Sequence, residues 1–155
     1  MPKTATADRV DRDALLDFLR PRHQAVLLTR RRDGGAQMSP VTCGVDGAGR
    51  IVVSTYPQRA KAVNARRDPA VSLCVLSPDW DDAWVQVDGR AEVLDLPEAL
   101  EPLVEYYRSI SGEHPDWDEY RAAMARQGKS LIRVTIERWG PIATGGFPPT
   151  AVDKL

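Results

Sequence analysis

The pattern of turns along this chain predicts a mainly β fold, a small antiparallel barrel of about six short strands flanked by helices. Three observations predict it. Short apolar runs alternate with polar residues at period two, as Val71, Leu73 and Val75 do against Ser72 and Cys74. Glycine-bearing turns, Asp33-Gly34-Gly35 and Asp46-Gly47-Ala48-Gly49, join consecutive runs as hairpins. Helical patterns are inserted late instead of alternating with strands, and no Gly-x-Gly-x-x-Gly follows a strand, so a doubly wound dinucleotide fold is not indicated.

The elements follow in order. Asp11 to Leu19 reads as an amphipathic helix, with Leu15, Leu16 and Leu19 on one face and Pro21 ending it. Ala25 to Arg30 is a strand, and Gln37 to Val45 returns antiparallel to it. Arg50 to Thr55 is the next strand, followed by a short helix near Arg59 and the strand around Val71 to Val75. Ser77 to Asp82 is a loop. Trp84 to Leu94 is the clearest strand: Val85, Val87, Ala91 and Val93 share one face, and Gly89 marks a bend or bulge. Pro97 to Ser111 is helical, with a stripe of Leu96, Leu100, Leu103, Val104 and Tyr107. Asp116 and Glu119 have capping-box spacing for a second helix, on which Trp117, Tyr120 and Met124 share a face. Leu131 to Glu137 is the last strand, with Ile132, Val134 and Ile136 inward. Residues 1–10 are expected to be flexible and residues 140–155 to form a loop-like tail.

At 155 residues the chain fits one domain with a real core. Its 21 Lys and Arg against 22 Asp and Glu argue against a general nucleic-acid binder. The charge is uneven all the same, with basic runs at Arg30-Arg31-Arg32 and Arg66-Arg67. Two cysteines, Cys43 and Cys74, sit inside strand patterns, which suits buried thiols in a reducing compartment. No apolar run approaches the ~18 residues of a membrane span, and the first residues lack a signal-peptide core. The expectation is a soluble cytoplasmic protein.

The most informative stretch for chemistry is Ser54 to Pro69. It follows the apolar Ile51-Val52-Val53 and opens a helix for which Ser54 and Thr55 are candidate caps. Arg59 and Lys61 fall in the loop and first turn, where free N–H groups and the positive end of the helix dipole gather, so two cations there make a site for a dianionic phosphate. Asn64 projects from the same helix face as Lys61. The alternative is a surface helix with solvated charges. Metal catalysis has little to work with: His23 and His114 are the only histidines, and no acidic residues accompany them at ligand spacing. No Gly-x-Ser-x-Gly is present, and neither cysteine has a basic neighbour. A chain so poor in catalytic side chains, yet furnished with a phosphate site, points to a cofactor that carries the chemistry.

Four segments in this order resemble one family: Gln37-Met38-Ser39-Pro40-Val41; Arg59 to Pro69; Trp84 to Ala91 with its Asp88-Gly89; and Tyr106-Tyr107-Arg108 through Gly112-Glu113-His114-Pro115-Asp116-Trp117 to Tyr120. They resemble the pyridoxamine-phosphate-oxidase-like split β-barrel superfamily, in particular its actinobacterial deazaflavin (coenzyme F-420)-dependent reductases. The resemblance covers roughly residues 15–136. It implies a six-stranded split barrel like FMN-binding proteins, and a homodimer with two cofactor sites at the subunit interface. It implies that Arg59 and Lys61 hold the cofactor phosphate, with Asn64 in support. The strand Gln37, Met38, Ser39, Pro40 and Val41 would lie against the ring, largely through backbone groups, and a strand proline fits such a place. Met38 would pack on that ring or in the core. Ser54 and Thr55 would meet the ribityl chain or ring edge. Trp84, on the polar parity of its strand, is a contact beside the cofactor or across the dimer, or else a plain half-exposed aromatic.

The implied activity is hydride transfer from reduced F-420 to an electron-poor double bond of a small conjugated substrate. Two alternatives stand beside it: an FMN-binding oxidase or reductase of the same fold, and a carrier that binds F-420 or haem without turnover. The second strand here reads Met-Ser-Pro-Val-Thr-Cys-Gly-Val, without the additional Arg and Lys of the FMN branch. The chain also ends without an Arg-Leu-x-Pro-like motif, so vitamin B6 oxidation is not indicated. Basic residues are expected around the oligoglutamate tail of F-420, with Arg31, Arg32, Arg66 and Arg67 as candidates. The loops Ser77–Asp82, Gly112–Asp116 and Gly140–Leu155 are expected to shape the substrate pocket.

Overall fold

A computed structural model describes residues 3–148 of the chain. The elements run β1 (Thr6–Asp8), α1 (Arg12–Leu19), β2 (Gln24–Arg30), β3 (Ala36–Val45), β4 (Ile51–Thr55), α2 (Ala60–Arg67), β5 (Ala70–Leu76), β6 (Val85–Leu94), α3 (Leu100–Ser111), α4 (Trp117–Gln127), β7 (Ser130–Trp139) and β8 (Ile142–Thr144). Six strands close a barrel in the order β2-β3-β4-β7-β6-β5, and every pair in it is antiparallel. The predicted six-stranded barrel is therefore present.

Its core is built by the inward parity of the strands. Leu27, Ile51, Val53, Leu73, Val75, Val85, Val87, Ile132 and Val134 are buried together, and α1 adds Leu15, Leu16 and Leu19. Asp11 starts α1, its carboxylate accepting from the Ala14 N–H at 2.9 Å. A second apolar cluster lies outside the barrel wall, where Val52 and Leu131 meet Ala99, Leu103, Val104 and Tyr120 of the α3–α4 unit. β4 and β7 are thus covered on both faces, which is why Ile51-Val52-Val53 and Leu131-Ile132 are continuous apolar runs instead of alternating ones.

Four expectations are corrected. Residues 6–8 are not loose: β1 pairs with β8, Thr6 opposite Thr144. Accordingly the tail after Gly140 is strand at residues 142–144, and the rest of that expected tail, residues 149–155, lies outside the described residues, as do residues 1 and 2. The last barrel strand extends past Glu137 to Trp139, whose indole N–H donates to the Val10 carbonyl at 2.9 Å. The capping box on α4 is half made. Asp116 accepts from Glu119 N–H at 3.1 Å, but Glu119 turns to Arg126, and Asp116 N–H donates to His114 Nδ1 at 2.9 Å.

The bend expected at Gly89 is a register shift between β6 and β7. There a Cβ would run into the Thr135 carbonyl oxygen and the Val134 side chain. We expect Gly89→Ala to lower stability by roughly 1–3 kcal/mol, the range for overpacking. Gly140→Ala, where nothing lies within 4 Å, should cost less than about 0.5 kcal/mol. Urea unfolding of the two variants checks this; equal midpoints would show that the bulge tolerates a side chain.

Candidate functional site

The site begins where the barrel comes apart. β3 pairs with the whole length of β2, from Ala36 opposite Arg30 to Thr42 opposite Gln24. With β4 it shares only Cys43, Gly44 and Val45, opposite Val53, Val52 and Ile51. Beyond that point β4 continues alongside β7, Ser54 opposite Leu131 and Thr55 opposite Ser130. Gln37 to Val41 therefore has one edge with no strand beside it. The Tyr106 hydroxyl, from α3, enters this fork and donates to the Thr42 carbonyl at 3.0 Å. Burial pushes the Tyr106 phenol above its ordinary value, and the neighbouring Ser54 partly counters the shift.

β4 leads through Tyr56, Pro57 and Gln58 into α2, whose N-cap is Arg59. Ser54 and Thr55, expected as candidate caps, instead lie within β4 in register with β7. No side chain caps α2, because arginine has no acceptor to offer its own helix. Among the described residues the N–H groups of Ala60 and Lys61 donate to nothing in the chain. Arg59 is exposed and Lys61 half-buried, and neither is ion-paired among the described residues. Burial, and then the charge of Arg59, hold the Lys61 ammonium below its usual 10.5. Uncapped N–H groups, a helix dipole and two unneutralised cations suit a phosphate.

On β3 the two faces divide the predicted residues. Met38 and Pro40 point outward, and Met38 is 64% exposed, so it is not a core methionine. Gln37, Ser39 and Val41 take the other parity. Gln37 Oε1 accepts from Thr29 Oγ1 at 2.7 Å, and that hydroxyl in turn accepts from Asn64 Nδ2 at 3.2 Å. Asn64 Oδ1 accepts from Arg67 at 3.0 Å. Asn64 is thus buried in a network that ties α2 to β2 and β3. The Ser39 hydroxyl is buried with no hydrogen-bond partner, a position that a ligand in the split would satisfy.

Trp84 stands apart from this group. It precedes β6, bridges to Ala143, and is 39% exposed. With Cys74, Leu76 and Trp80 it lines a pocket of about 620 Å³ that contains none of the α2 residues. Burial raises the Cys74 thiol and pushes that of Cys43 up to about 12, so neither is an activated nucleophile. Two members of the basic runs are committed elsewhere, Arg66 to Asp95 at 2.6 Å and Arg67 to the Arg30 carbonyl at 2.7 Å.

Sequence reasoning missed Tyr106, Tyr56 and Lys129. The Arg59 guanidinium carbon lies 5.9 Å and the Lys129 ammonium 4.2 Å from the Tyr56 ring centre. Lys129 immediately precedes Ser130, the partner of Thr55, so only the β4–β7 register brings it here. No local signal could have found it.

The architecture is a split six-stranded barrel with an uncapped cationic helix start, at which a phosphate-bearing ligand would fit. The chain belongs to the pyridoxamine 5'-phosphate oxidase family, whose sequence profile matches residues 12–143. Among solved structures it is similar to a conserved hypothetical protein from Mycobacterium tuberculosis, with 24% identity, 90% of this chain and 89% of that one covered, and a TM-score of 0.73. It is similar to an F-420 reductase at 21% identity, with 79% and 93% covered and a TM-score of 0.60. A FAD-binding protein from Mesorhizobium loti matches at 18% identity, with 91% and 97% covered and a TM-score of 0.62. Identities this low speak for the fold.

A lysine held below its usual value by burial recovers charge when an anion arrives. Affinity for pyrophosphate is expected to be full below that lowered value and to fall as pH rises through it, ahead of 10.5. Lys61→Arg should keep the neutral-pH affinity and remove the alkaline loss, because guanidinium does not deprotonate there. Calorimetric titration from about pH 7 to about pH 10 reads both. An affinity in the original protein that stays flat would separate Lys61 from the ligand.

Proposed function

We propose that this chain is an F-420-dependent oxidoreductase, using the hydride of a reduced deazaflavin to reduce an electron-poor double bond of a small conjugated substrate. The observation that carries the reading is the uncapped α2 start with Arg59 and Lys61, placed where β3 parts from β4. The fold shared with a protein named F-420 reductase supports it. So does the run from Tyr106 to Tyr120, which resembles that branch.

In this reading Arg59, Lys61 and the first α2 N–H groups hold the phosphate. Ser54 and Thr55 meet the chain between phosphate and ring. The free edge of Gln37–Val41, with the Ser39 hydroxyl, receives the ring, and Met38 and Pro40 flank it. Holding donor and acceptor in contact supplies a large share of the rate in such transfers, so the protein's part is alignment. In this reading solvent is the source of the final proton.

The working form is a homodimer in the cytoplasm, where Cys43 and Cys74 stay free. The outward face of the barrel supports the dimer: Met38 lies opposite Leu28, and Pro40 opposite Val26, which is opposite Cys74. Such an apolar sheet face calls for a partner. Val26→Asp is expected to shift the sedimentation profile from dimer to monomer; an unchanged profile would move the interface elsewhere.

The cofactor is tested by titrating stripped protein with F-420 and FMN in parallel, following ligand fluorescence. F-420 should bind in preference, and Arg59→Ala with Lys61→Ala should weaken it at least a hundredfold, since charged hydrogen bonds contribute roughly 1.5–3 kcal/mol each. Tight FMN binding with F-420 ignored would transfer the protein to the flavin branch. Binding of F-420 without reduction of enones or tetrapyrroles would make it a carrier.

A further inference from the structure

We propose that the pocket walled by Trp80 and Trp84 binds a small organic cation carried on a flat aromatic body, an arylalkylamine in chemical class. The pocket contains none of the α2 residues, so the proposal stands apart from the cofactor reading and neither needs the other.

The walls are firmly placed. Trp84 is held by two backbone bonds with Ala143 of β8, its N–H donating at 2.9 Å and its carbonyl accepting at 3.0 Å. Beyond β8 the Phe147 N–H donates to the Lys3 carbonyl at 2.8 Å, and Gly146 lies so close to that carbonyl that a Cβ would collide with it. β5 contributes Cys74 and Leu76, which alternate with its core-facing residues. The loop from β5 to β6 carries Trp80, Asp81 and Asp82. Ser77 anchors it, accepting from Arg22 Nε at 2.9 Å and donating to the Ala83 carbonyl. The enclosed volume of about 620 Å³ falls within the range of small-molecule sites.

The aromatic faces of this pocket have no partner. Trp80 is 83% exposed, although an indole is among the largest apolar surfaces a chain can bury. Among the described residues neither Trp80 nor Trp84 packs against another ring or has an arginine or lysine over it. One exposed tryptophan needs no explanation, but two lining one cavity offer a flat ligand surfaces to lie on. The charge of that ligand follows from the other lining residues. Asp81 and Asp82 are free of ion pairs among the described residues. Lys3 also lines the pocket, but its Nζ donates to the Asp81 backbone carbonyl. Two carboxylates against one ammonium leave a place for one further positive charge. Indole faces attract a cation just as the carboxylates do, and both repel an anion.

The test titrates the full chain calorimetrically at neutral pH with three probes that share an indole body. Tryptamine is a cation, tryptophol is neutral and indole-3-propionate is an anion. Tryptamine should bind about tenfold more tightly than tryptophol, as one cation–π contact beside a carboxylate predicts, and indole-3-propionate should bind most weakly. Asp81→Asn with Asp82→Asn should weaken tryptamine severalfold and leave tryptophol unchanged. Trp80→Ala, at a position too exposed to disturb folding, should weaken both. Equal affinity for tryptamine and tryptophol, tightest binding of indole-3-propionate, or no binding at millimolar concentration would overturn the proposal. So would a tryptamine affinity indifferent to the aspartate or Trp80 substitutions. Cys74 also lies opposite Val26 on the face given above to the dimer, so Trp80→Ala is sedimented too. A shift from dimer to monomer would show that a second copy fills the pocket, and would likewise overturn it.

Discussion

Everything at the site depends on β3 leaving β4 after three residue pairs. β4 has five residues and pairs all of them with β7, whereas β3 has ten and gives its first seven to β2 alone. A closed barrel normally removes strand edges; this one keeps an edge open where β3 leaves β4. Buried N–H and C=O groups along such an edge must find partners. Tyr106 supplies one, at Thr42, and Pro40 removes one donor altogether. The remainder of the edge has no strand beside it.

The open corner is kept rigid from outside by the α3–α4 unit. Gly44 lies so close to Ser109 that a Cβ would collide with its hydroxyl, which fixes α3 against β3 just where the strands part. The Tyr120 hydroxyl donates to the Leu103 carbonyl at 2.9 Å and joins α4 to α3. Around it Tyr107, His114, Trp117 and Tyr120 pack with ring centres 5.0–5.7 Å apart. The most distinctive stretch of the sequence is therefore a clamp. It sets the position of Tyr106 at one end and, through the end of α4, of Lys129 at the other.

Local rules made much of the fold legible. Period-two alternation located β5 and β6, Asp11 and Pro21 bounded α1, and Gly89 marked the bulge, because each signal is written within a few residues. The cation pair at α2 was legible for the same reason. What escaped depends on contacts distant in sequence. β1 and β8 pair the two ends of the chain, and three-residue strands carry too little pattern to read. The bond from Asn64 to Thr29, and from Thr29 on to Gln37, joins α2, β2 and β3, which lie far apart in sequence. Tyr56 and Lys129 each look like an ordinary surface residue until β4 lies beside β7.

The formal charge of −1 conceals how differently the arginines and lysines are used. Along the barrel and helices they meet carboxylates: Arg66 with Asp95, Arg121 with Glu101, Arg133 with Glu92 and Arg138 with Asp88. Pairs of this kind contribute little to stability where they are exposed, but they flatten the field around them. Around Tyr56, Arg59 and Lys129 meet no carboxylate among the described residues, so their field stands against a nearly neutral background. Lys61 bears the cost, its ammonium disfavoured by burial and by Arg59 in the absence of an anion. Folding alone would favour a carboxylate at this spot. Cations at this spot, beside the strand edge that opens where β3 leaves β4, would suit an anionic ligand at some expense to the fold.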